Sequence, residues 1–305
     1  MKFIYIADIH LSGKPPMQRR DDYFLSMYNK LTEILEYAKT NKIDFILAGG
    51  DLFNSHTMSF PVLDRYVDLI ESYDIPFWSI IGNHDLDNAR VGTGVLNHTF
   101  NRSSLIKHLT ELQFDDLHIR GMDYLIDIDE VLNEEGYFVS DEHKDKWKVF
   151  IPHANVTPKK AIFSHVLAKD FKTNIDVLLV SHYHSQHGIK EINDTKYCWI
   201  GALSRGTIGI GDIEKDPSIL VLDSSDRSIL EYKLKNVLPI GEVFDMDKVN
   251  EIKETKKDLK GFVASLKNVK QQGFAFIDRL KYICKENEVD NVIRDIIIEE
   301  IPQGE

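Results

Sequence analysis

Residues 3–10 read Phe3-Ile4-Tyr5-Ile6-Ala7-Asp8-Ile9-His10, and residues 45–51 read Phe45-Ile46-Leu47-Ala48-Gly49-Gly50-Asp51. Each is an uninterrupted apolar run that stops at a side chain able to bind a divalent metal. Short runs without polar alternation read as strands buried on both faces. The ending recurs three more times: Phe77–Ile81 precedes Asn83 and His84, Val149–Ile151 precedes His153, and Val177–Val180 precedes His182 and His184. Ligands of open α/β sheets bind beyond the carboxyl ends of the strands, so five such endings point at one site.

Working outward, Phe24, Met27, Leu31, Ile34, Leu35 and Ala38 recur at helical spacing and predict a helix over Tyr23–Lys39. Leu63, Val67 and Ile70 predict a second over Val62–Tyr73. Strands alternating with helices imply right-handed crossovers and a largely parallel sheet, doubly wound over the first 85 residues. Ser103–Leu112 has the pattern of a short helix capped by serine. From Lys196 the chain turns to short strands, Tyr197–Ile200, Ile219–Leu222 and Ile229–Leu234, which can form a second sheet packed on the first. Beyond Pro239 the composition becomes Lys-, Asp- and Glu-rich, with helices expected near Val249–Lys267, Phe274–Glu286 and Val289–Glu299. A boundary within Pro239–Asp245 would divide residues 1–238 from a C-terminal segment, 239–305.

The 305 residues are 43% hydrophobic and 28% charged, the balance of a globular protein. No apolar stretch approaches the roughly 20 residues of a membrane span. A chain that opens directly as a strand leaves no place for a secretory signal, and Cys198 and Cys284 are too far apart for a metal-type pair. A reducing cytoplasmic setting is therefore expected, the host cytoplasm if the chain is phage-encoded. A net charge of −12 excludes a broad basic surface, so any contact with nucleic acid must be local. The absence of a G-x-x-x-x-G-K-S/T run sets aside a P-loop nucleotide switch or kinase.

Asp8 and His10 flank one residue, which on a strand would aim both at one ion. Asp51, after two glycines, can bridge two ions. Gly82-Asn83-His84-Asp85 offers a neutral oxygen ligand, a histidine pointing elsewhere and a carboxylate able to orient it. His153, His182 and His184 add imidazoles. Taken singly, each has an ordinary reading: a capping carboxylate, a turn, a packed histidine. Asp8, His10, Asp51, Asn83, His153, His182 and His184 in this order, each after an apolar run, make a dinuclear metal site.

This ordered set, D-x-H, G-D, G-N-H-D, H and H-x-H, resembles the calcineurin-like metallophosphoesterase superfamily over about Met1–Leu234. Within it, Gly50-Asp51-Leu52-Phe53-Asn54 and Gly82-Asn83-His84-Asp85-Leu86 are most similar to SbcD-type nuclease subunits of DNA repair and recombination and their phage counterparts. Two departures stand out. Ser181 replaces the usual glycine before H-x-H, tolerable if that turn needs no positive φ, and Asn54 replaces the second Asp of G-D-x-x-D.

The resemblance implies a two-sheet β-sandwich flanked by helices, with a small α-rich C-terminal appendage. It assigns Asp8, His10, Asp51 and His184 to one metal, and Asp51, Asn83, His153 and His182 to the other. His84, supported by Asp85, is then the catalytic histidine. Mixed oxygen and imidazole ligands suit Mn²⁺, Fe or Zn²⁺ better than Ca²⁺, and the resemblance favours Mn²⁺ over these and Mg²⁺. The implied reaction is phosphodiester hydrolysis by a water shared between the ions, in a DNA exonuclease or endonuclease.

For substrate, Lys14, Arg19 and Arg20 follow the first ligand pair and Arg90 and Arg102 the third, while Arg205 lies in the loop Gly201–Thr207. Each is a candidate phosphate contact or a solvated surface charge. The resemblance also implies a homodimer and an SbcC-like coiled-coil ATPase. Phe262, Val263, Leu266, Phe274, Ile277, Leu280, Ile283, Val292, Ile293, Ile296 and Ile297 could dock that partner or cover their own domain. Two further readings remain: a stand-alone phosphoesterase for nucleotides or phosphoproteins, which the acidic charge favours, and a catalytically silent scaffold, which a complete ligand set disfavours.

Overall fold

The computed structural model describes residues 1–87, 94–161, 163–206, 213 and 215–251. Apart from Val249–Glu251, the expected C-terminal helices lie outside these, as does Arg90.

Four parallel strands, β1 (Lys2–Ile6), β2 (Phe45–Ala48), β3 (Phe77–Ser79) and β4 (Ile106–His108), lie side by side in that order. The connections carry α1 (Tyr23–Thr40), α2 (Phe60–Glu71) and α3 (Val95–Arg102). The Asp22 carboxylate starts α1 by accepting the Leu25 N–H at 3.0 Å, and proline stands in the first turn of α2, where no N–H is needed.

A second sheet begins with β5 (Glu111–Gln113) and β6 (Leu117–Met122) and, after α4 (Ile128–Glu135), continues through β7 (Trp147–Pro152). The short pair β8 (Val156–Thr157) and β9 (Val166–Leu167) precedes β10 (Val177–Leu179), β11 (Gly188–Ile192) and β12 (Thr195–Trp199). Its order is β11-β12-β10-β7-β6-β5. The chain then returns to the first sheet as β13 (Ser218–Asp223), antiparallel to β1, and β14 (Ser228–Lys233). A short helix, α5 (Ile240–Val243), follows.

Alternation along the strands explains the layers. Phe3, Tyr5, Phe45 and Leu47 meet Val149, Ile151, Val177 and Leu179 in the core between the sheets. Ile4, Ile6, Ile46 and Ala48 point the other way, onto the apolar stripes of α1 and α2. Both faces of each central strand are therefore buried, which is why those strands read as continuous apolar runs.

Three expectations need correction. The first 85 residues are not doubly wound, because α1 and α2 share one face and the second sheet covers the other. Of the late strands, only Tyr197–Ile200 belongs to the second sheet; β13 and β14 extend the first. Ser103–Leu112 is no helix. The Ser103 hydroxyl accepts the N–H groups of Leu105 and Ile106 at 3.2 and 2.9 Å, a turn that launches β4. Serine offers the same bonds to a helix start and to such a turn.

Candidate metal centre

The five strand ends converge where the two sheets meet. Four of the seven candidate ligands, Asp8, His10, Asp51 and His182, have left-handed backbones, with φ of 41°, 54°, 46° and 66°. Such conformations are strained for non-glycine residues and cluster at functional sites. The His10 N–H donates to the Asp51 carbonyl at 2.8 Å, and the Tyr23 hydroxyl to the His10 carbonyl at 2.8 Å. Asp8 accepts the His182 N–H at 3.0 and 3.1 Å, joining the end of β1 to that of β10.

Glycines admit the close approach. A Cβ at Gly50, whose φ is +88°, would stand 2.4 Å from His153 Nδ1, and one at Gly82 would stand 2.1 Å from Asp51 Oδ1. Ser181 needs no positive φ, as the substitution required, and its hydroxyl donates to the Pro152 carbonyl at 2.8 Å. Gly201 opens its loop with φ +68°, close under the His184 carbonyl.

Two ligand groups result: Asp8, His10, Asp51 and His184, and Asp51, His153 and His182, each with its ligating atoms within 4.8 Å of one another. Asp51 belongs to both. Its Oδ2 is buried without a hydrogen-bond partner and faces His10 Nε2 at 3.8 Å and His153 Nε2 at 3.4 Å. Asn83 joins the second group, its Oδ1 lying 3.1 Å from His153 Nε2. Because His153 Nδ1 donates to the Gly49 carbonyl at 2.8 Å, Nε2 is the nitrogen turned to the site. His10 Nε2 and His184 Nε2 point at each other across 3.2 Å. An unpartnered buried carboxylate oxygen among converging imidazole nitrogens fits divalent cations.

The electrostatics are divided, since against burial Asp51 and Asp8 lift His153 to about 9, and that ring must lose a proton to take a cation. Burial, with Asp51 beside it, lifts the Asp8 carboxyl to about 7 against the pull of His153. Burial acts in the same sense on Asp51, but His153, His10 and His84 hold that carboxyl well below the usual range. Two buried carboxylates titrate apart when like charges crowd them, and a cation between them keeps both ionised. Burial drives His10 well below its ordinary value and His182 down to about 3. These rings are neutral, as metal ligands must be.

His84 stands outside both groups and is exposed. Its Nδ1 donates to the Asn54 carbonyl at 3.0 Å, leaving Nε2 able to exchange a proton. Asp85 does not orient this ring, contrary to the expectation from sequence. Its buried carboxylate accepts the N–H groups of Phe53 and Gly82 at 3.2 and 2.9 Å, pinning the two loops together. Burial, then Asp51, raises it to about 8. The Asn54 departure leaves the His84 contact untouched, since only its backbone is used.

The proposed phosphate contacts divide. Arg19 is buried, held by both Asp21 oxygens at 2.7 Å and the Arg205 carbonyl at 2.6 Å, and so braces the loop instead of facing substrate. Arg205 is buried too and donates to the Leu238 and Lys215 carbonyls. Arg20 pairs with Asp245 and Arg102 with Asp64. Lys14 lines an open groove of about 620 Å³ with Asn54, Ser55 and Thr57, next to the backbone that holds His84.

Sequence reasoning passed over Tyr124, whose ring lies 5.5 Å from that of His182 and 6.1 Å from that of His153. Nothing in its local pattern marks it. It also missed buried Lys30, which donates to the Leu203 carbonyl at 3.1 Å under the Gly201 loop. A lysine within the Met27–Ile34 apolar stripe was the available signal. A third group, Glu111, His118 and His143, lies at the sheet edge. Its imidazoles stack at 4.2 Å and 12°, so their lone pairs do not converge on one ion.

A two-sheet sandwich flanked by helices, with a paired His/Asp/Asn centre at its strand ends, defines a metal-dependent phosphoesterase. The chain belongs to the calcineurin-like phosphoesterase family, whose model matches residues 1–186. It is 24% identical over 294 residues to the double-strand break repair protein MRE11 of Encephalitozoon cuniculi, covering 79% of this chain and 48% of that protein. It is 37% identical over 73 residues to the human protein of the same name, covering 24% of this chain and 10% of that one. The chain thus spans less than half the length of these curated relatives. Among solved structures it is similar to a Danio rerio dimetal phosphatase, at TM-score 0.47 and 11% identity over 72% of this chain and 92% of that one. A Thermus thermophilus protein is similar at TM-score 0.47 and 12% identity, over 76% of this chain and 98% of that one. Among the described residues no helix is long and apolar enough to cross a membrane.

Proposed function

We propose that the chain is a dinuclear phosphodiesterase acting on DNA, the nuclease subunit of an SbcCD-like repair or recombination complex. The observation that carries this reading is Asp51 Oδ2, buried and unpartnered between two ligand groups, with His84 left outside both. Divalent ions held there, Mn²⁺ by preference, supply Lewis acidity to the phosphate oxygens and acidify the attacking water. The residues do the rest. Asp51 and the imidazoles fix the two positions, Asp85 locks the loops that carry Asp51 and Asn83, and His84 Nε2 hands a proton to the departing alkoxide. The DNA assignment draws on the repair proteins named above. The SbcC-like partner, the homodimer, docking by residues 239–305 and a cytoplasmic setting belong to the same proposal.

Purified protein with Mn²⁺ should cut linear and hairpin DNA as well as a small chromogenic diester, and Asp8→Ala should abolish all three activities. His84→Ala should keep its metal and lose about 10²–10⁴-fold in rate. Turnover of the small ester alone would favour the stand-alone phosphoesterase.

A further inference from the structure

The two rims of the centre differ in chemistry. On the side of the first sheet, Ser12, Lys14, Asn54 and Ser55 line a groove with Pro15, Met58 and Val62 and no aromatic ring. On the side of the second sheet, Tyr183 lies between the ligands His182 and His184 and opens a row of rings. Its plane stacks on that of His187 at 5.7 Å and 9°, with its hydroxyl 3.1 Å from His187 Nε2. Phe163 stands 6.4 Å from Tyr183, its plane tilted by 42°, and is 42% exposed.

That exposure is held in place. Phe163 lies in the connection between β8 and β9, which α4 holds at the two residues that follow it. Ser164 Oγ donates to Glu130 at 2.7 Å, and Asn133 Nδ2 donates to the His165 carbonyl at 2.7 Å. Exposed Lys159 and Lys190 lie near enough to His187 that, after burial, they are the charges that lower it. On a chain of net charge −12, two exposed lysines within electrostatic reach of His187 add positive charge to this side.

We propose that Phe163, backed by Tyr183 and His187 with Lys159 and Lys190 near His187, is a stacking platform for an unpaired nucleobase next to the scissile phosphate. Every base has a π-face, so such a platform favours single-stranded over small substrates without reading sequence. Lysines serve the neighbouring phosphates. The inference rests on the nuclease reading above and deepens it.

The test compares two single-stranded oligonucleotides, one intact and one abasic at the nucleotides beside the cut, using the full chain with Mn²⁺. Wild type should prefer the intact strand in kcat/KM by about 5- to 100-fold, the range stacking supplies. Phe163→Ala should collapse that ratio towards one, and Phe163→Tyr should retain it. Metal content serves as the check on folding. An unchanged ratio in Phe163→Ala overturns the platform while leaving the nuclease reading standing. Failure of the wild type to cut either strand, while it hydrolyses a small diester, overturns both.

Discussion

Gly82→Ala isolates the placement of Asp51. Gly82 does not have a positive φ, so alanine meets no backbone strain there and the whole effect is steric. The new Cβ would stand 2.1 Å from Asp51 Oδ1, 2.7 Å from its carboxylate carbon and 2.4 Å from its amide nitrogen. Moving Oδ1 from 2.1 Å to a bare 3.0 Å requires a shift of about 0.9 Å, and the amide contact blocks the easy retreat. Oδ1 also accepts the His84 N–H at 2.8 Å, so the shift loosens the proposed proton donor as well. Misplacement of about 1 Å at a reacting centre costs about 100-fold in rate. Overpacking should cost about 1–3 kcal/mol of stability. Hydrolysis of the small diester in saturating Mn²⁺ reads the first and a urea midpoint the second. Gly241→Ala is the control, since its Cβ would meet only Met246 at 3.4 Å, in α5. A Gly82→Ala enzyme within threefold of wild-type kcat/KM, with wild-type metal content, would refute the argument that this glycine sets the carboxylate.

Arg19→Ala removes one partner of a buried ion pair and should cost about 3–5 kcal/mol, read as a lower urea midpoint; a wild-type midpoint would contradict the bracing role. Lys14→Ala, on the exposed groove, should raise KM for DNA and leave the midpoint within about 0.5 kcal/mol. Burial pushes the Cys198 thiol from 9.0 up to about 12. Its contribution to stability is therefore complete below the unfolded value and is lost as pH rises from about 9 towards 12. In a Cys284→Ser background, a thiol reagent at pH 8 should label Cys198 only on unfolding, and rapid labelling of the native protein would count against this burial.

The strand ends were legible because burial on both faces forces continuous apolar runs, and a run must end where the polar site begins. The path beyond them was not. Asp8 and His10 were expected on one face of a strand, yet β1 stops at Ile6. Two left-handed residues flanking Ile9, which is buried among the helices, bring their side chains together instead. Spacing foretold the meeting and not the route. Asp85 illustrates a second limit: adjacency in G-N-H-D implied a partner for His84, while the backbone turned the carboxylate inward to Phe53 and Gly82. Arg19 illustrates a third, since a basic residue in a loop looks the same in sequence whether it faces solvent or, as here, the Arg205 carbonyl 186 residues away. Pairwise partners across 30 or more residues leave no local trace.

The candidate ligands come from both sheets: Asp8, Asp51 and Asn83 follow β1, β2 and β3, while His153 and His182 follow β7 and β10. The apolar layer between the sheets, about 10 Å thick in such sandwiches, therefore works as a gauge block for the metal centre. Phe3 stacked on Phe45 at 5.1 Å, with Trp147 against Phe3 at 6.3 Å, fills that layer at the end of the strands opposite to Asp51 and His153. Thinning that filling changes the bite between the two halves of the site without touching a ligand. In this chain the tolerance of the chemistry is machined into its hydrophobic core.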